Sequence, residues 1–443
     1  MIRPSLRPCP IPSVPAAAAV ASLLAPIASA ETRIDVTRPD APELAAYGPL
    51  PVGVRTVELV DEGRPDILAV DAEAPAPGEV PTAPRALTAE VFYPAAEGAT
   101  GDTAMTALLR DGVTEVTLRG RAMRDAEPSA EGPFPLVVVS HGYPGNRFLM
   151  AHIAENLASR GYVAASVDHA DSTYDDLGPF GSTLVNRPLD QLFVIDALPE
   201  ALDGLADPDR AAIVGYSMGG YGAVIAAGAG VTAQGVAFAE ERGAPHGLLS
   251  VHLAGSETHE ALPDPRVRAV VAFAPWGRAR GFWDAEGMAG LSVPTLFVTG
   301  SRDDVSGYED GVRLMWEEAT GTDRALLTFE GAMHNAGAPY PAPPESYAFD
   351  EELGFAPFEH YADPVWDTAR LNDVSQHFVT AWLDLHVKEE SGMAPYLDLV
   401  PSAEDGVFSE AEGGGFDEDH TYWTGFPART AQAMRFERRA AGR

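Results

Sequence analysis

Residues 214–220 read Val-Gly-Tyr-Ser-Met-Gly-Gly, and this stretch decides the fold. The six residues 211–216 are apolar and β-branched enough for a short buried strand, whereas residues 221–230 are small and apolar, as in a closely packed helix. A Gly-x-Ser-x-Gly motif between them predicts a sharp strand–turn–helix elbow that exposes Ser217 as a nucleophile. From this motif alone, a glycine-rich turn with a chance serine is an equal alternative.

Two later apolar runs, residues 293–299 and 325–329, are suited to buried parallel strands. Asp303 follows the first run and His334 follows the second, which reproduces the order Ser, acid, His of α/β-hydrolases. We therefore predict that Ser217 attacks a carbonyl carbon, His334 removes and returns the proton, and Asp303 orients the imidazole. Taken singly, Asp303 is also typical of a turn or helix cap, and His334 of a surface loop.

Asp304 competes with Asp303 for the position of the acid. In the common hydrolase pattern the acid stands three residues after the glycine that ends the strand, here Gly300, and this spacing selects Asp303. Asp304 is then expected to face solvent or to cap a helix that begins near Ser306.

The predicted oxyanion hole comes from two separate parts of the chain. Residues 134–140 read as a buried strand that runs into His141, Gly142 and Tyr143. We predict that the backbone N–H groups of Tyr143 and Met218 donate to the oxyanion. An ordinary βα loop is the alternative for the first of these segments.

Together these motifs resemble the serine-type α/β-hydrolases of the dienelactone-hydrolase-like superfamily, in particular platelet-activating-factor acetylhydrolases and bacterial lipase/cutinase (polyesterase) enzymes. The resemblance implies oxyanion-hole roles for Tyr143 and Met218 and an acyl-site role for Trp276. Tyr216 and His141 complete the predicted substrate contacts. The matching segments are residues 140–143 (SHGY), 161–173, the elbow, 273–276 (FAPW), 293–303 and 331–334.

The resemblance implies an α/β-hydrolase fold with a mostly parallel central sheet, helices on both faces, cap-like insertions and a C-terminal extension. We divide the chain into a signal peptide (1–30), a hydrolase domain (31–390) with insertions at 231–265 and 337–367, and an acidic extension (391–443) that packs on the core. The single cysteine, Cys9, rules out the cysteine nucleophile of true dienelactone hydrolases.

The N-terminus has the pattern of a secretory signal. Arg3 and Arg7 precede the apolar residues 16–27, and Ala-Ser-Ala at 28–30 predicts cleavage after Ala30. We therefore expect a secreted or periplasmic protein without stable membrane anchoring. An uncleaved anchor is the alternative.

The composition is strongly acidic, with 65 Asp and Glu against 30 Lys and Arg and a formal net charge of −35. Such a surface repels nucleic acid, so no nucleic-acid partner is expected. Salt adaptation and a lineage-wide composition bias both remain open as its origin. Residues 168–172 and 175–176 superficially resemble a metal site but lack paired-histidine spacing, so we predict no metal and no cofactor, with calcium left open.

The sequence as a whole predicts a monomeric, secreted carboxylic-ester hydrolase that acts on small-molecule or polymeric esters through an acyl-enzyme. Two alternatives remain. One is a phospholipid acyl hydrolase resembling platelet-activating-factor acetylhydrolase, and the other is a catalytically silent binding protein on the same fold.

Overall fold

A computed structural model describes residues 31–443, in which thirteen strands form two sheets. The predicted signal peptide and Cys9 lie outside the described residues. In chain order the strands are β1 (Thr32–Arg33), β2 (Val52–Pro65), β3 (Thr82–Pro94), β4 (Ala104–Leu108), β5 (Glu115–Arg119), β6 (Met123–Arg124), β7 (Phe134–Ser140), β8 (Val163–Asp168), β9 (Ala206–Tyr216), β10 (Val267–Phe273), β11 (Thr295–Gly300), β12 (Arg324–Phe329) and β13 (Met434–Arg439).

The main sheet has ten strands in the order β13-β12-β11-β10-β9-β7-β8-β3-β2-β6. The six strands from β12 to β8 are parallel to one another, and β3 and β13 join them antiparallel at the two sides. β7 is buried along its whole length, which agrees with its unbroken apolar sequence. The carboxyl ends of β7, β9, β11 and β12 therefore meet along one edge, where ligands collect in open α/β sheets.

Eight α-helices accompany these strands in the described residues, and they cover both faces of the main sheet. α1 and α8 contribute to one hydrophobic core, while α2, α3, α6 and α7 contribute to the other. The helices are α1 (Ala151–Ser159), α2 (Phe180–Ala201), α3 (Met218–Ala226), α4 (Ala233–Glu240), α5 (Glu257–Glu260), α6 (Ala285–Ala289), α7 (Arg313–Glu318) and α8 (Thr368–His386).

The last fifty residues pack against the domain rather than extend away from it. β13 pairs with β12 along its full length, so the chain's end adds an edge strand to the main sheet. Phe436 stacks on Phe378 of α8 with ring centroids 4.8 Å apart, and Trp423 meets the same ring edge-on. These contacts bury aromatic surface over α8.

A second, three-stranded sheet has the order β1-β5-β4. The sequence did not indicate it, because its strands are short and belong to an acidic, proline-rich region. The predicted fold class is confirmed: a mostly parallel sheet with helices on both faces. Within residues 31–443, no helix combines the length and the apolar content needed to span a bilayer.

Candidate active site

The strand–turn–helix elbow places Ser217 between β9 and α3. Ser217 has φ 53° and ψ −108°, a backbone conformation that L-residues rarely adopt. A Cβ on Gly215 would collide with the carbonyl oxygen of Gly219, and a Cβ on Gly219 would collide with the carbonyl oxygen of Ser140. The two glycines therefore let the elbow turn tightly beside the end of β7.

Ser217, His334 and Asp303 form one hydrogen-bonded chain at the carboxyl edge of the sheet. The Ser217 Oγ lies 3.0 Å from His334 Nε2, and His334 Nδ1 lies 3.0 and 3.1 Å from the two carboxylate oxygens of Asp303. When Nδ1–H donates to the carboxylate, Nε2 is left to accept the hydroxyl proton of Ser217. Chemically, this arrangement can generate a serine alkoxide beside an imidazolium.

Asp303 is held by its own loop as well as by His334. Its Oδ1 accepts hydrogen bonds from the main-chain N–H groups of Val305 (3.0 Å) and Ser306 (2.8 Å). Burial opposes ionisation of this carboxyl, but His334 and the two main-chain donors outweigh it, so the pKa of Asp303 lies below its usual value. Asp304 is exposed, and it is Asp303 that accepts the N–H of Ser306 at the following turn.

A cavity of about 620 Å³ opens directly over this chain of residues. Part of its wall comes from the predicted insertion 337–367, whereas no residue of the predicted insertion 231–265 lines it. In that first insertion, Phe238 of α4 instead packs against Trp276 at a centroid distance of 6.0 Å. The lining residues are Arg110, Gly142, Tyr143, Pro144, Tyr216, Ser217, Asp304, Val305, Met333, His334, Asn335, Phe355, Phe358, Glu359, His360, Ala362, Asp363 and Pro364.

Tyr216 lines the cavity and joins the insertion to His334. Its ring lies 5.2 Å from the His334 ring, and its hydroxyl donates to Asn335 Oδ1 at 2.9 Å. The Asn335 amide in turn donates to the carbonyl oxygens of Glu359 and Ala362. The loop over the cavity is thus hydrogen-bonded to the loop that carries the histidine.

Neither His141 nor Trp276, two of the predicted substrate contacts, lines the cavity. The His141 ring is buried behind the loop and bonds to the Gly142 carbonyl oxygen. Trp276 is also buried, with Phe180 at 5.3 Å and Phe282 at 5.1 Å between ring centroids. Phe180 stands between Trp276 and Tyr143 (4.9 Å), so the aromatic wall reaches the cavity through Tyr143.

Hydrogen bonds from the side chains of His141 and Arg187 hold the loop after β7 in place. His141 Nδ1 bonds to the Gly142 carbonyl oxygen at 2.7 Å, and the buried Arg187 guanidinium donates to the His141 carbonyl oxygen. The Gly142–Tyr143 peptide is trans, so the Tyr143 N–H points away from the Gly142 carbonyl oxygen and from the His141 ring bonded to it. A Cβ on Gly142 would lie 3.4 Å from the Ser217 Cβ, which places this loop directly beside the serine.

Met218 is the first residue of α3, and its N–H therefore has no partner within the helix. The N-terminus of a helix also carries a partial positive charge that favours an anion. These two features give the elbow the donor that an oxyanion needs.

A second Ser–His–Asp set lies beneath the site. Ser140 Oγ is 2.8 Å from His169 Nε2, and His169 Nδ1 is 3.0 Å from Asp190 Oδ2. All three side chains are buried, at 0, 1 and 0% exposure, and none lines the cavity. Its hydrogen-bonding pattern is that of a triad, but a substrate has no access to Ser140.

Burial keeps the histidine of the second set neutral. Asp190 also accepts hydrogen bonds from Arg64 and Arg85, so its carboxylate is shared among three donors. Burial, reinforced by the charge of Arg187, lowers the pKa of His169 to about 3. The main-chain N–H of His169 also donates to His141 Nε2 at 3.3 Å, which links this set to the loop beside Ser217.

Sequence reasoning missed several cavity residues, above all Arg110, Phe355 and Phe358. Arg110 comes from the connection between β4 and β5 in the small sheet, and no local motif marks it. In the described part of the chain, no group of three or more His, Cys, Asp or Glu side chains is arranged to hold a metal ion.

Comparison with known proteins identifies relatives for this fold. The family model for platelet-activating factor acetylhydrolase, isoform II, matches residues 93–174, which include β7 and β8 but end before Ser217. Cutinase 2 of Thermobifida cellulosilytica is 22% identical over 286 residues, covering 64% of this chain and 80% of that protein. Cutinase est2 of Thermobifida alba is 23% identical over 210 residues, covering 47% of this chain and 55% of that protein.

Among solved structures, the ferulic acid esterase from Streptomyces cinnamoneus aligns with a TM-score of 0.54 at 23% sequence identity. The alignment covers 82% of this chain and 94% of the esterase chain. At this identity the likeness concerns the fold.

Proposed function

Because the chain is an α/β-hydrolase related to the platelet-activating factor acetylhydrolase isoform II family and, distantly, to cutinases, we propose that it hydrolyses carboxylic esters through an acyl-enzyme on Ser217. One observation carries the proposal: Ser217 Oγ lies 3.0 Å from a histidine that is itself bonded to a carboxylate, at the wall of a cavity. The cutinases and the ferulic acid esterase support an ester substrate by their names.

In the proposed reaction, the same residues act first in forming the acyl-enzyme and again in its hydrolysis. His334 takes the hydroxyl proton as Ser217 Oγ attacks the carbonyl carbon, and the N–H groups of Tyr143 and Met218 stabilise the oxyanion. The tetrahedral intermediate expels the alcohol, which receives the proton from His334. A water then attacks the acyl-enzyme with His334 as base and releases the acid, while Asp303 remains ionised throughout.

Ser217 is favoured over Ser140 as the nucleophile because of access and strain. Ser217 lines the cavity and sits on the strained elbow, whereas Ser140 is fully buried within β7. Hydrolysis needs room for both an ester and a water beside the reacting oxygen. Only the first serine has that room.

The test is steady-state hydrolysis of p-nitrophenyl butyrate by purified variants. We expect Ser217→Ala and His334→Ala each to lose most of the turnover, and the double variant to be hardly worse, because the residues act as a unit. Ser140→Ala is the matched control and should keep most of the activity. Near-normal turnover by Ser217→Ala would refute the proposed mechanism.

A phospholipid acyl hydrolase is the second candidate, favoured by the acetylhydrolase match over residues 93–174. Release of a short acyl group from a phospholipid, at a kcat/KM above that for a p-nitrophenyl ester of equal acyl length, would select it. A folded protein that hydrolyses neither kind of ester and is not labelled by a fluorophosphonate would favour the third candidate, a binding protein on the hydrolase fold.

We also propose that the protein is exported and acts as a monomer. The support for export is the basic, then apolar, then Ala-Ser-Ala pattern of residues 1–30. N-terminal sequencing of the protein recovered outside the cytoplasm should begin at Glu31. A mature chain that begins at Met1 would contradict cleavage, and light scattering would report the mass.

A further inference from the structure

Arg110 is the only arginine or lysine among the residues that line the cavity in the described part of the chain. The other charged lining residues are acids, and they are either exposed or already used. Asp304 and Glu359 are exposed. Asp363 accepts main-chain hydrogen bonds on both oxygens, from Met333 on one and from Val365 and Trp366 on the other. The cavity therefore presents one cationic side chain, Arg110, that is not paired with any of the acidic residues lining it.

The connection between β4 and β5 holds Arg110 in place. The Asp111 carboxylate accepts hydrogen bonds from the N–H groups of Val113 and Thr114 and from the Thr114 hydroxyl. Asn146 Nδ2 donates to the carbonyl oxygen of Leu108 at 3.0 Å, which ties this connection to the loop after β7. These bonds fix the backbone that carries Arg110 before a ligand arrives.

Arg110 is partly buried, and within residues 31–443 it makes no ion pair, although the sequence carries 65 acidic residues. By contrast, Arg85 pairs with Asp171 and Asp190, and Arg147 pairs with Glu90 and Asp168. The Arg110 guanidinium carbon lies over the Phe355 ring, 6.0 Å from the ring centroid. A guanidinium has five donors in a planar fork that matches a carboxylate.

The charge of Arg110 acts on His360, another residue of the cavity wall. Burial lowers the pKa of His360 to about 3, and the charge of Arg110 acts in the same direction. Arg110 and the histidine of the Ser217 chain thus face a shared volume that His360 also lines.

We propose that Arg110 binds a carboxylate carried by the substrate, so that the preferred substrates are half-esters of dicarboxylic acids. The inference rests on the proposed ester hydrolysis at Ser217 and adds the substrate class. Hydrolysis of such a half-ester yields a dicarboxylate and an alcohol, with one water consumed. At long range the acidic surface repels this anion, so recognition depends on the local contact with Arg110.

The test compares pairs of equal acyl length in which a terminal carboxylate replaces a methyl group: the monoethyl esters of succinate, glutarate and adipate against ethyl butyrate, pentanoate and hexanoate, with hydrolysis followed by acid release. Ethyl esters are used because the carboxylate of a mono-p-nitrophenyl succinate or glutarate would expel nitrophenolate without the enzyme. In about 0.15 M salt, where the Debye length is about 8 Å, wild type should favour the anionic member of one pair by about tenfold or more in kcat/KM. Arg110→Gln should remove that preference mainly through KM and change the neutral esters by less than about threefold. Arg110→Lys should keep part of it, because a lysine retains the charge but not the planar fork.

Arg280→Gln is the matched control, since Arg280 is exposed and does not line the cavity. It should keep the preference, with unfolding midpoints checked for every variant. Equal hydrolysis of charged and neutral esters at all three lengths would overturn the role of Arg110 alone, as would an equal loss on both by Arg110→Gln. If wild type hydrolyses neither series, the proposed function and this inference both fall.

Discussion

Replacing Asp303 with asparagine tests how the site orients its histidine. The Asp303 Oδ1 accepts the N–H groups of Val305 and Ser306, so the amide oxygen of asparagine is expected to take that position. Its NH₂ group then faces His334 Nδ1, where Oδ2 now lies at 3.1 Å. An amide donor at Nδ1 forces the tautomer that carries its proton on Nε2, which cannot accept the proton of Ser217.

The expected loss in kcat is about 10⁴-fold, as for the same change in a Ser–His–Asp protease, or about 5 kcal/mol of transition-state stabilisation. The fold should survive, because the amide oxygen keeps the main-chain hydrogen bonds of the turn. We expect the free energy of unfolding at pH 7 to fall by about 1 kcal/mol. Asp304→Asn is the control, and as an exposed substitution it should change stability by about 0.5 kcal/mol or less.

The stability difference should also depend on pH. The pKa of Asp303 is lowered in the folded state, so its stabilisation is present above the unfolded pKa, about 3.9, and is lost as the pH falls through the lower folded value. Urea unfolding of wild type and Asp303→Asn should therefore converge below about pH 4. An Asp303→Asn variant within tenfold of wild-type kcat, with Asp304→Asn inactive, would refute the assignment of the acid.

Three further outcomes are expected. Burial raises the pKa of Asp373 to about 7, so the folded state loses stability as the pH rises from about 4 to 7. Asp373→Asn should therefore raise the melting temperature more at pH 8 than at pH 4. An equal rise at both pH values would contradict this. Arg187→Met should lower kcat up to about 10²-fold with little change in KM, because the loop that carries Tyr143 loses its charged hydrogen-bond donor. Arg187→Lys should recover part of the lost kcat. A change in KM alone would argue against a role of Arg187 in positioning this loop. The cavity of about 620 Å³ should favour butyrate over long-chain esters, and the reverse order in an ester panel would contradict this limit on acyl length.

The parts of the site that could be predicted from sequence are those set by local pattern. β7 is an unbroken apolar run, and the predicted strand at 134–140 has the bounds observed. The elbow and the loops after β11 and β12 likewise depend on glycines and strand ends that are adjacent in sequence. For these segments, short-range sterics and burial are sufficient to fix the backbone.

The parts that could not be predicted depend on long-range packing. Arg110 reaches the cavity only because a separate three-stranded sheet docks beside the main one. The set of Ser140, His169 and Asp190 joins residues 29 and 21 positions apart, and the region of His169 resembles a metal site when read alone. α2 begins at Phe180 and continues through Pro188, where sequence rules expect a helix to break.

Covalent trapping tests the central claim most directly, because the chain contains two Ser–His–Asp sets and only one is proposed to react. The wild-type protein, incubated with a fluorophosphonate and digested, should carry the label on the peptide that contains Ser217, with one label per chain. His334→Ala should label far more slowly, and Ser140→Ala should label as wild type does. A label on Ser140, or no label on a folded protein that hydrolyses esters, would contradict the account.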